Sequence, residues 1–269
     1  MTAPTAAPSG AERRRRYLSV TRAVFWRHMH NVLHKPVLFI PAIIFPLFFY
    51  MAFAGGLSGL SDIPGFDYYD YNAFQFTFVL LQSAAFGGVF IGFSIGADFD
   101  SGLTRRLFVA AGDRSSVLAG FGVAALVRAV MVWAMVFAIA LVTGMEVAGS
   151  FADLVGLFWL AAIVNVAAFL FAAGMMTRFR TMQAAPAMQI PMFMILMTAP
   201  VYVPREMIQG WVATATEYNP FTAIVEGGRS LMAGNPFHLL LAFAAAAGLV
   251  AVMALFAKTG LRRAEEAAA

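Results

Sequence analysis

The sequence contains no cysteine and only two lysines, and each shortage excludes a class of site. Without cysteine the chain has no disulfide, no thiolate metal site and no cysteine nucleophile. A P-loop needs a lysine that follows glycine and precedes serine or threonine, because these groups hold the nucleotide phosphates. Lys35 precedes Pro36, and Lys258 follows Ala257, so neither fits. Any ATP that this chain depends on is therefore hydrolysed by another subunit.

Charged residues are also scarce. They make up 12% of the 269 residues, whereas 61% are hydrophobic and the mean hydropathy is +0.77. Ordinary soluble domains carry roughly 25% charged residues, so this chain has too few to cover a water-soluble protein of its size. The composition excludes a soluble globular protein and predicts an all-α polytopic membrane protein.

Six apolar stretches are each long enough to cross a bilayer as a helix, which takes about 20 residues. They cover residues 37–57, 73–96, 117–143, 154–176, 185–203 and 237–257. The sequence thus predicts six transmembrane helices within one domain, residues 37–257. The connection at residues 204–236 is long and still apolar, which predicts an outer re-entrant pair of short helices before the last span.

The N-terminal residues differ from the spans. We expect a disordered basic leader at residues 1–16 and an amphipathic helix at 17–36 that lies in the membrane interface. The helical spacing places Leu18, Phe25, Met29 and Val32 on one face and Arg27, His30, Asn31 and His34 on the other. His30 and His34 have the spacing of a metal pair, but this helix has no carboxylate to complete a site, so no metal is expected.

The positions of the basic residues predict the orientation. If both termini are cytoplasmic, all but three of the 18 Lys and Arg residues lie at the inner side. Only Arg205 and Arg229 then lie outside, and Arg128 lies within the third span, so the positive-inside rule is satisfied. The pI of 9.7 therefore reflects orientation and predicts no nucleic-acid partner. Residues 258–269 would form a cytoplasmic tail.

Polar side chains within or beside the spans are candidates for the substrate pathway, because such groups in a bilayer are usually functional. They are Gln82, Arg128, Asn165, Gln189 and Tyr202. Arg128 would cost roughly 2.5–3.5 kcal/mol at the centre of a span, so it should face protein, water or the inner interface. Hydrogen bonds between helices are the alternative role for the amides.

An enzyme is the hypothesis from a different class. The run Gly56-Leu57-Ser58-Gly59 resembles the serine motif of intramembrane rhomboid proteases, and His238 opens the sixth span on the same outer side. A four-residue pattern is weak in a chain with 23 glycines. An activated serine also needs a packed setting, whereas this one would end a span, so an intramembrane serine protease remains only an alternative.

One inner segment resembles a known family. Asp98-Phe99-Asp100-Ser101-Gly102-Leu103-Thr104-Arg105-Arg106-Leu107, followed by Asp113-Arg114, is similar to the cytoplasmic segment before the third span in ABC-2 type (type 2 ABC exporter) permeases. In that family the segment forms a coupling helix that docks on the ATPase. The resemblance implies that an ATPase docks here through the leader and through the coupling segment at residues 97–116. The residues concerned are Asp98, Asp100, Gly102, Arg105, Arg106 and Arg114.

A second match lies in the outer connection, and it resembles the family's re-entrant region. The matching residues are Pro204, Met207, Trp211, Asn219-Pro220-Phe221-Thr222, Glu226, Arg229 and Gly234. Together with the amphipathic helix and the six spans, the resemblance covers nearly the whole chain. It is greatest to small drug-exporter permeases of the daunorubicin-resistance type.

The resemblance implies a permease subunit of an ATP-driven ABC exporter in the bacterial plasma membrane. The cargo would be a hydrophobic or amphiphilic drug, antibiotic or lipid-like molecule, as in antibiotic efflux. Two copies of this chain would form a homodimer, with two ATP-binding subunits that hold the ATP and Mg. An exporter of polysaccharide or lipid-linked glycan is the alternative, which stacked rows of aromatic rings in a long cavity would favour.

Overall fold

The computed structural model describes residues 9–34, 40–64, 66 and 68–266, and this part of the chain contains helices and no strand. The all-α prediction is therefore confirmed for it. Its α-helices are α1 (Gly10–His34), α2 (Ile40–Gly56), α3 (Tyr71–Asp100), α4 (Leu103–Ala111), α5 (Ser115–Val142), α6 (Phe151–Phe179), α7 (Ala185–Met197), α8 (Trp211–Tyr218), α9 (Pro220–Met232) and α10 (Leu239–Glu266). Short 3₁₀ segments lie at Ser58–Asp62, Met182–Ala184 and Arg205–Met207.

Helix α3 is the centre of the fold. In its most apolar stretch 78% of the residues are buried, compared with 11% in α10, so α3 is surrounded by protein and α10 lies at the edge. Helices α2, α5, α6, α7 and α9 all pack against α3, and α10 packs against α6. The approach of α3 to α6 requires Gly88, since a Cβ there would lie 2.5 Å from the Asn165 carbonyl oxygen.

Polar residues at the ends define where several helices begin. The Asp70 carboxylate accepts hydrogen bonds from the backbone amides of Asn72 (2.9 Å) and Ala73 (3.1 Å) and so caps α3. Ser150 and Asp153 form a reciprocal capping box at α6. These side chains satisfy amide groups that have no partner within the helix.

The six-span prediction is only partly matched. Helices α3, α5, α6 and α10 are long and apolar enough to cross a membrane. The stretches at 37–57 and 185–203 contain shorter apolar helices, α2 with 17 residues and α7 with 13. At a rise of 1.5 Å per residue these span about 25 and 20 Å, less than a hydrocarbon core of about 30 Å. Residues 37–39 lie outside the described part.

The prediction of disorder at residues 1–16 is wrong for 10–16, because α1 begins at Gly10. A capping box explains the early start: the Ser9 amide donates to the Glu12 carboxylate (2.8 Å), and the Glu12 amide donates to Ser9 Oγ (3.3 Å). Residues 1–8 of the leader, 35–36 of the predicted amphipathic helix and 267–269 of the tail lie outside the described residues.

The outer connection at 204–236 contains two short helices, α8 and α9, as the sequence predicts. Asn219 joins them to α7. Its Oδ1 accepts from the Phe221 amide (2.9 Å) and caps α9, while its Nδ2 donates to the Ile195 carbonyl (2.7 Å). The position of this pair relative to the membrane remains a prediction.

Candidate functional site

The inner segment between α3 and α5 forms a short amphipathic helix, α4. Gly102 turns the chain into it with a φ of +74°, a conformation that side chains with a Cβ rarely adopt. Thr104, Phe108 and Ala111 are buried against the bundle. The opposite face presents Arg105, Arg106 and Val109, and Val109 is 82% exposed. A cationic surface with an apolar residue beside the charges is therefore open to a partner.

The two aspartates of the predicted coupling group contact their own chain. Nη1 and Nη2 of Arg27 in α1 both donate to the Asp98 carboxylate, with Nη1 3.2 Å from Oδ1. The Asp100 carboxylate accepts from the Met182 amide at 2.9 Å, between α6 and α7. The predicted coupling residues therefore differ in what they contact. Asp98 and Asp100 hold the segment in place, whereas Arg105 and Arg106 face outwards.

Helix α1 holds the other end of α4. Arg16 Nη2 donates to the Ala110 carbonyl at 2.7 Å, which satisfies an acceptor at the C-terminus of α4. Thr21 Oγ1 donates to the Ser116 carbonyl at the start of α5 (3.0 Å). The Arg114 guanidinium lies 5.8 Å from the centre of the Phe108 ring. Movement of α4 would therefore be transmitted to α1, α3 and α5 together.

A cleft of about 490 Å³ lies beside this segment and is bounded by residues of α1, α2, α3 and α5, with Met182 at its edge. Arg128 lines it, and its Nη1 lies 3.2 Å from His28 Nε2. A guanidinium has only donors, so this nitrogen of His28 accepts and the ring is neutral. Burial, and then the charges of Arg128 and Arg27, lower the pKa of His28 to about 4. We call this space the inner cleft.

The five candidate pathway residues do not share one surface. Arg128 lines the inner cleft, and Gln189 is exposed on α7. Gln82 is fully buried, and its amide atoms have no hydrogen-bond partner among the described residues. Asn165 is buried and donates to the Ala84 carbonyl at 2.8 Å, which makes it a link between α6 and α3. The Tyr202 ring lies 4.8 Å from the Phe53 ring.

In the outer region Arg229 is the most deeply placed charge, with 1% of its surface exposed. Its Nε donates to the Phe74 carbonyl (3.3 Å), and its Nη2 donates to the Val201 carbonyl (3.2 Å). The guanidinium carbon also lies 3.3 Å from the centre of the Phe74 ring. Arg229 therefore joins α9 to α3 and to the segment that follows α7. Pro204 is buried and Trp211 is 75% exposed.

A second cavity, of about 440 Å³, opens among these outer elements, and Glu226, His238 and Tyr68 line it. Burial raises the pKa of Glu226 above its ordinary value. Ser58, the serine of the protease hypothesis, lines a different cavity with Asn72. No hydrogen bond joins Ser58 to His238 in the described part of the chain, so the structure gives no support to a serine and histidine pair. Nor do the described residues contain a cluster of three metal-ligating side chains.

Sequence reasoning did not identify His28 as part of this site, and it placed Arg16 only within the leader, without its contact to α4. One signal was available: an arginine within an apolar span, such as Arg128, requires a polar partner. It could not indicate which residue that is, because the partner lies 100 residues earlier in the chain.

The comparisons with known proteins cover these elements. The family model for the ABC-2 type transporter matches residues 19–233, from within α1 to just past α9. The daunorubicin resistance ABC transporter permease protein DrrB1 of Streptomyces coeruleorubidus is 26% identical over 241 residues. The match covers 88% of this chain and 84% of that protein.

Proposed function

This chain belongs to the ABC-2 type transporter family, and we propose that it is the permease subunit of an ATP-driven exporter. Its cargo would be a hydrophobic or amphiphilic small molecule, such as a drug, an antibiotic or a lipid-like compound. The likeness to a daunorubicin resistance permease supports this class of cargo. The protein would lie in the bacterial plasma membrane with six spans, both termini in the cytoplasm, and the pair α8 and α9 re-entering from the outer side.

The exposed face of α4 is the observation that carries the proposal. Arg105, Arg106 and Val109 face away from the bundle, while Thr104 and Phe108 fix the helix to it. An ATP-binding subunit docked on this face would move α4 when it binds ATP and Mg, and α4 would displace the helices attached to it. Two such subunits would serve two copies of this chain.

A homodimer is supported by α7. Pro191 lies inside this helix, and it lacks the amide that would pair with the Ala187 carbonyl four residues earlier. An unpaired carbonyl facing lipid is costly, so protein is a better neighbour for this surface than lipid. Ile190 and Met194, 61% and 59% exposed, lie on the same helix. A second copy packed here would cover the Ala187 carbonyl and the exposed side chains of Ile190 and Met194.

Three phenylalanine rings follow one another along α3. The Phe90 ring lies 5.6 Å from the Phe86 ring, at 23° to it, and 5.5 Å from the Phe93 ring, at 45° to it. This stacked pair does not amount to the stacked rows in a long cavity that would favour a glycan. The drug or lipid-like cargo therefore remains the proposal.

Charge reversal on α4 tests the proposal. The chain would be co-expressed with tagged ABC ATP-binding subunits of its source organism, and the amount that co-purifies would be measured. Arg105→Glu with Arg106→Glu should reduce association at least tenfold, because both exposed cations become anions at the docking face. Lys258→Glu with Arg262→Glu makes the same charge change on α10 and should leave association within about twofold.

The amount of each variant in the membrane also distinguishes a loss of docking from a loss of membrane insertion. Both variants should reach the membrane in equal amounts, since neither pair lies in an apolar helix interior. Equal association of the two variants would place the docking face elsewhere. If no ATP-binding subunit co-purifies with the unmodified chain, the proposed function is wrong.

A further inference from the structure

Contacts along the length of α1 determine which of its sides faces the bundle. The side chains of Arg16, Thr21, Val24, Arg27 and His28 all contact α3, α4 or α5. At 3.6 residues per turn these five positions lie within one half of the helix circumference. The roll of α1 about its axis is therefore fixed, and its other half faces away from the bundle.

The side of α1 that faces away carries one line of exposed residues. Arg15, Arg22, Trp26 and Leu33 follow one another at intervals of 7, 4 and 7 residues, which places them in a row along a helix. All four are exposed, Trp26 at 69% and Leu33 at 65%. We call them the α1 stripe. The face that the apolar periodicity assigned to the membrane is a different one, and its Val32 is buried in the protein.

The residues of the α1 stripe are ordered by depth. Thr21 donates to the Ser116 carbonyl near the start of α5, whereas the His28 ring lies 5.9 Å from the ring of Phe121, further along α5. Since α5 is apolar and long enough to cross the membrane from the inner side, α1 follows it inwards from the surface. The two arginines of the stripe thus lie nearer the cytoplasm, and the tryptophan and leucine lie deeper. Tryptophan favours the boundary between head groups and hydrocarbon.

Helix α1 also carries an excess of positive charge. It contains six arginines and one acidic residue, Glu12, whose carboxylate accepts from the Ser9 amide. Arg27 forms an ion pair with Asp98 of α3. The other arginines outnumber Glu12, so a negatively charged surface is complementary to this helix. Each arginine close to an anionic leaflet strengthens association about fivefold, an attraction that a zwitterionic leaflet lacks.

We propose that the α1 stripe binds anionic lipids of the inner leaflet, with their phosphates against Arg15 and Arg22 and their acyl chains along Trp26 and Leu33. The leaflet rests on the orientation given under the proposed function, whereas the preference for anionic lipid rests on the stripe. A water-soluble partner would match the arginines but would leave the deeper, apolar half of the stripe without a matching surface.

Because the chain contains no cysteine, one labelled thiol in the full-length protein tests the proposal. Ser19→Cys, at an exposed position between the two arginines of the stripe, would carry an NBD fluorophore in phosphatidylcholine nanodiscs. Phosphatidylglycerol with a nitroxide on its acyl chain is compared with phosphatidylcholine that carries the same nitroxide. Half-maximal quenching should need at least fivefold less phosphatidylglycerol, and this preference should shrink at high salt.

Three variants show whether the stripe produces the preference. Arg15→Gln with Arg22→Gln removes both cations and should lower it to less than about twofold. Arg15→Lys with Arg22→Lys keeps both charges and should retain it, which distinguishes loss of charge from damage to the helix. Lys258→Gln with Arg262→Gln is the matched control, because it removes two exposed cations of α10 and should leave the preference within about twofold. Equal quenching by the two lipids in the parent labelled chain, or a preference that survives the first variant, overturns the proposal.

An ATP-binding subunit is the other partner that the arginines of α1 could meet. Its addition should leave quenching by phosphatidylglycerol unchanged, because the stripe faces lipid. Loss of quenching when the subunit binds would make the stripe a protein docking face and would contradict the proposal. The main measurement contains no ATP-binding subunit, and both leaflets of the disc have the same composition. Failure of ATPase docking, or an inverted orientation, would therefore leave the measured lipid preference unchanged.

Discussion

Two guanidinium groups, the buried Arg229 and the half-buried Arg128, lie among the helices, and each is stabilised in a different way. Arg229 donates to two backbone carbonyls and lies over the Phe74 ring, so neutral groups replace its hydration. Arg128 instead contacts His28, a side chain whose acceptor exists only while the ring is neutral. Both arrangements persist near neutrality, but only the second is lost on acidification, once His28 takes up a proton.

His28 should therefore make the docking of α1 depend on pH. In the unfolded chain the imidazole takes up a proton below its ordinary pKa of 6.5, but in the folded protein only near 4. The unfolded state binds more protons in that window, so stability is complete above pH 6.5 and declines as the pH falls towards 4. At about pH 5 the loss should be about 1–2 kcal/mol. The melting temperature at about pH 5 in an uncharged detergent, compared with that at pH 7.5, measures this loss of stability.

The His28→Gln variant keeps an acceptor for Arg128 but does not titrate, so its melting temperature should change less with pH. His30→Gln is the control, because it makes the same substitution at an exposed histidine of the same helix. If His28→Gln and the unmodified chain show the same pH dependence, the imidazole is not what links stability to pH here.

The apolar periodicity of α1 predicted its buried face only in part. Met29 and Val32 are buried as expected, but Leu18 is 55% exposed and His28 is buried. Periodicity identifies the apolar stripe of a helix that faces lipid or core. It does not show that His28 lies buried as a hydrogen-bond partner of Arg128. Nor does it show that Arg27 pairs with Asp98, seventy-one residues later in the chain.

At the scale of elements, close packing of α1 on α5 depends on Gly120. A Cβ at this position would lie 2.7 Å from the Thr21 carbonyl oxygen and 2.7 Å from the Val24 Cβ. One of these atoms belongs to the backbone of α1, so the helix itself would have to move. Gly120→Val should displace α1, with a destabilisation of about 1–3 kcal/mol.

Hydrogen exchange measures this displacement directly. The amides of α1 should exchange faster in Gly120→Val, and association with the ATP-binding subunit should fall with them, because Arg16 would no longer hold the end of α4. Gly248→Val on α10 is the control, since a Cβ there meets nothing within 4 Å. Unchanged exchange in α1 would show that its attachment does not depend on this contact.

For the whole molecule, composition and run length were enough to predict a helical membrane protein, and the family match agrees with the resemblance of the inner and outer segments. The number of spans was harder to predict from the sequence. Apolar length alone does not distinguish a spanning helix from a shorter one such as α7, which ends at Met197 where Thr198 turns the chain. Single-chain sequence patterns also do not show which apolar surface faces lipid and which faces another protein.

The proposed homodimer can be tested cleanly because the chain contains no cysteine. Met194→Cys introduces one thiol on the exposed face of α7, and Leu255→Cys introduces one on α10, where Leu255 is 67% exposed. If the second copy packs against α7, a short bifunctional thiol reagent in native membranes should convert most of the first variant into a covalent dimer. The second variant should stay monomeric, since its thiol would face lipid. Cross-linking of Leu255→Cys alone would place the interface at α10, and cross-linking of neither would contradict a homodimer through either surface.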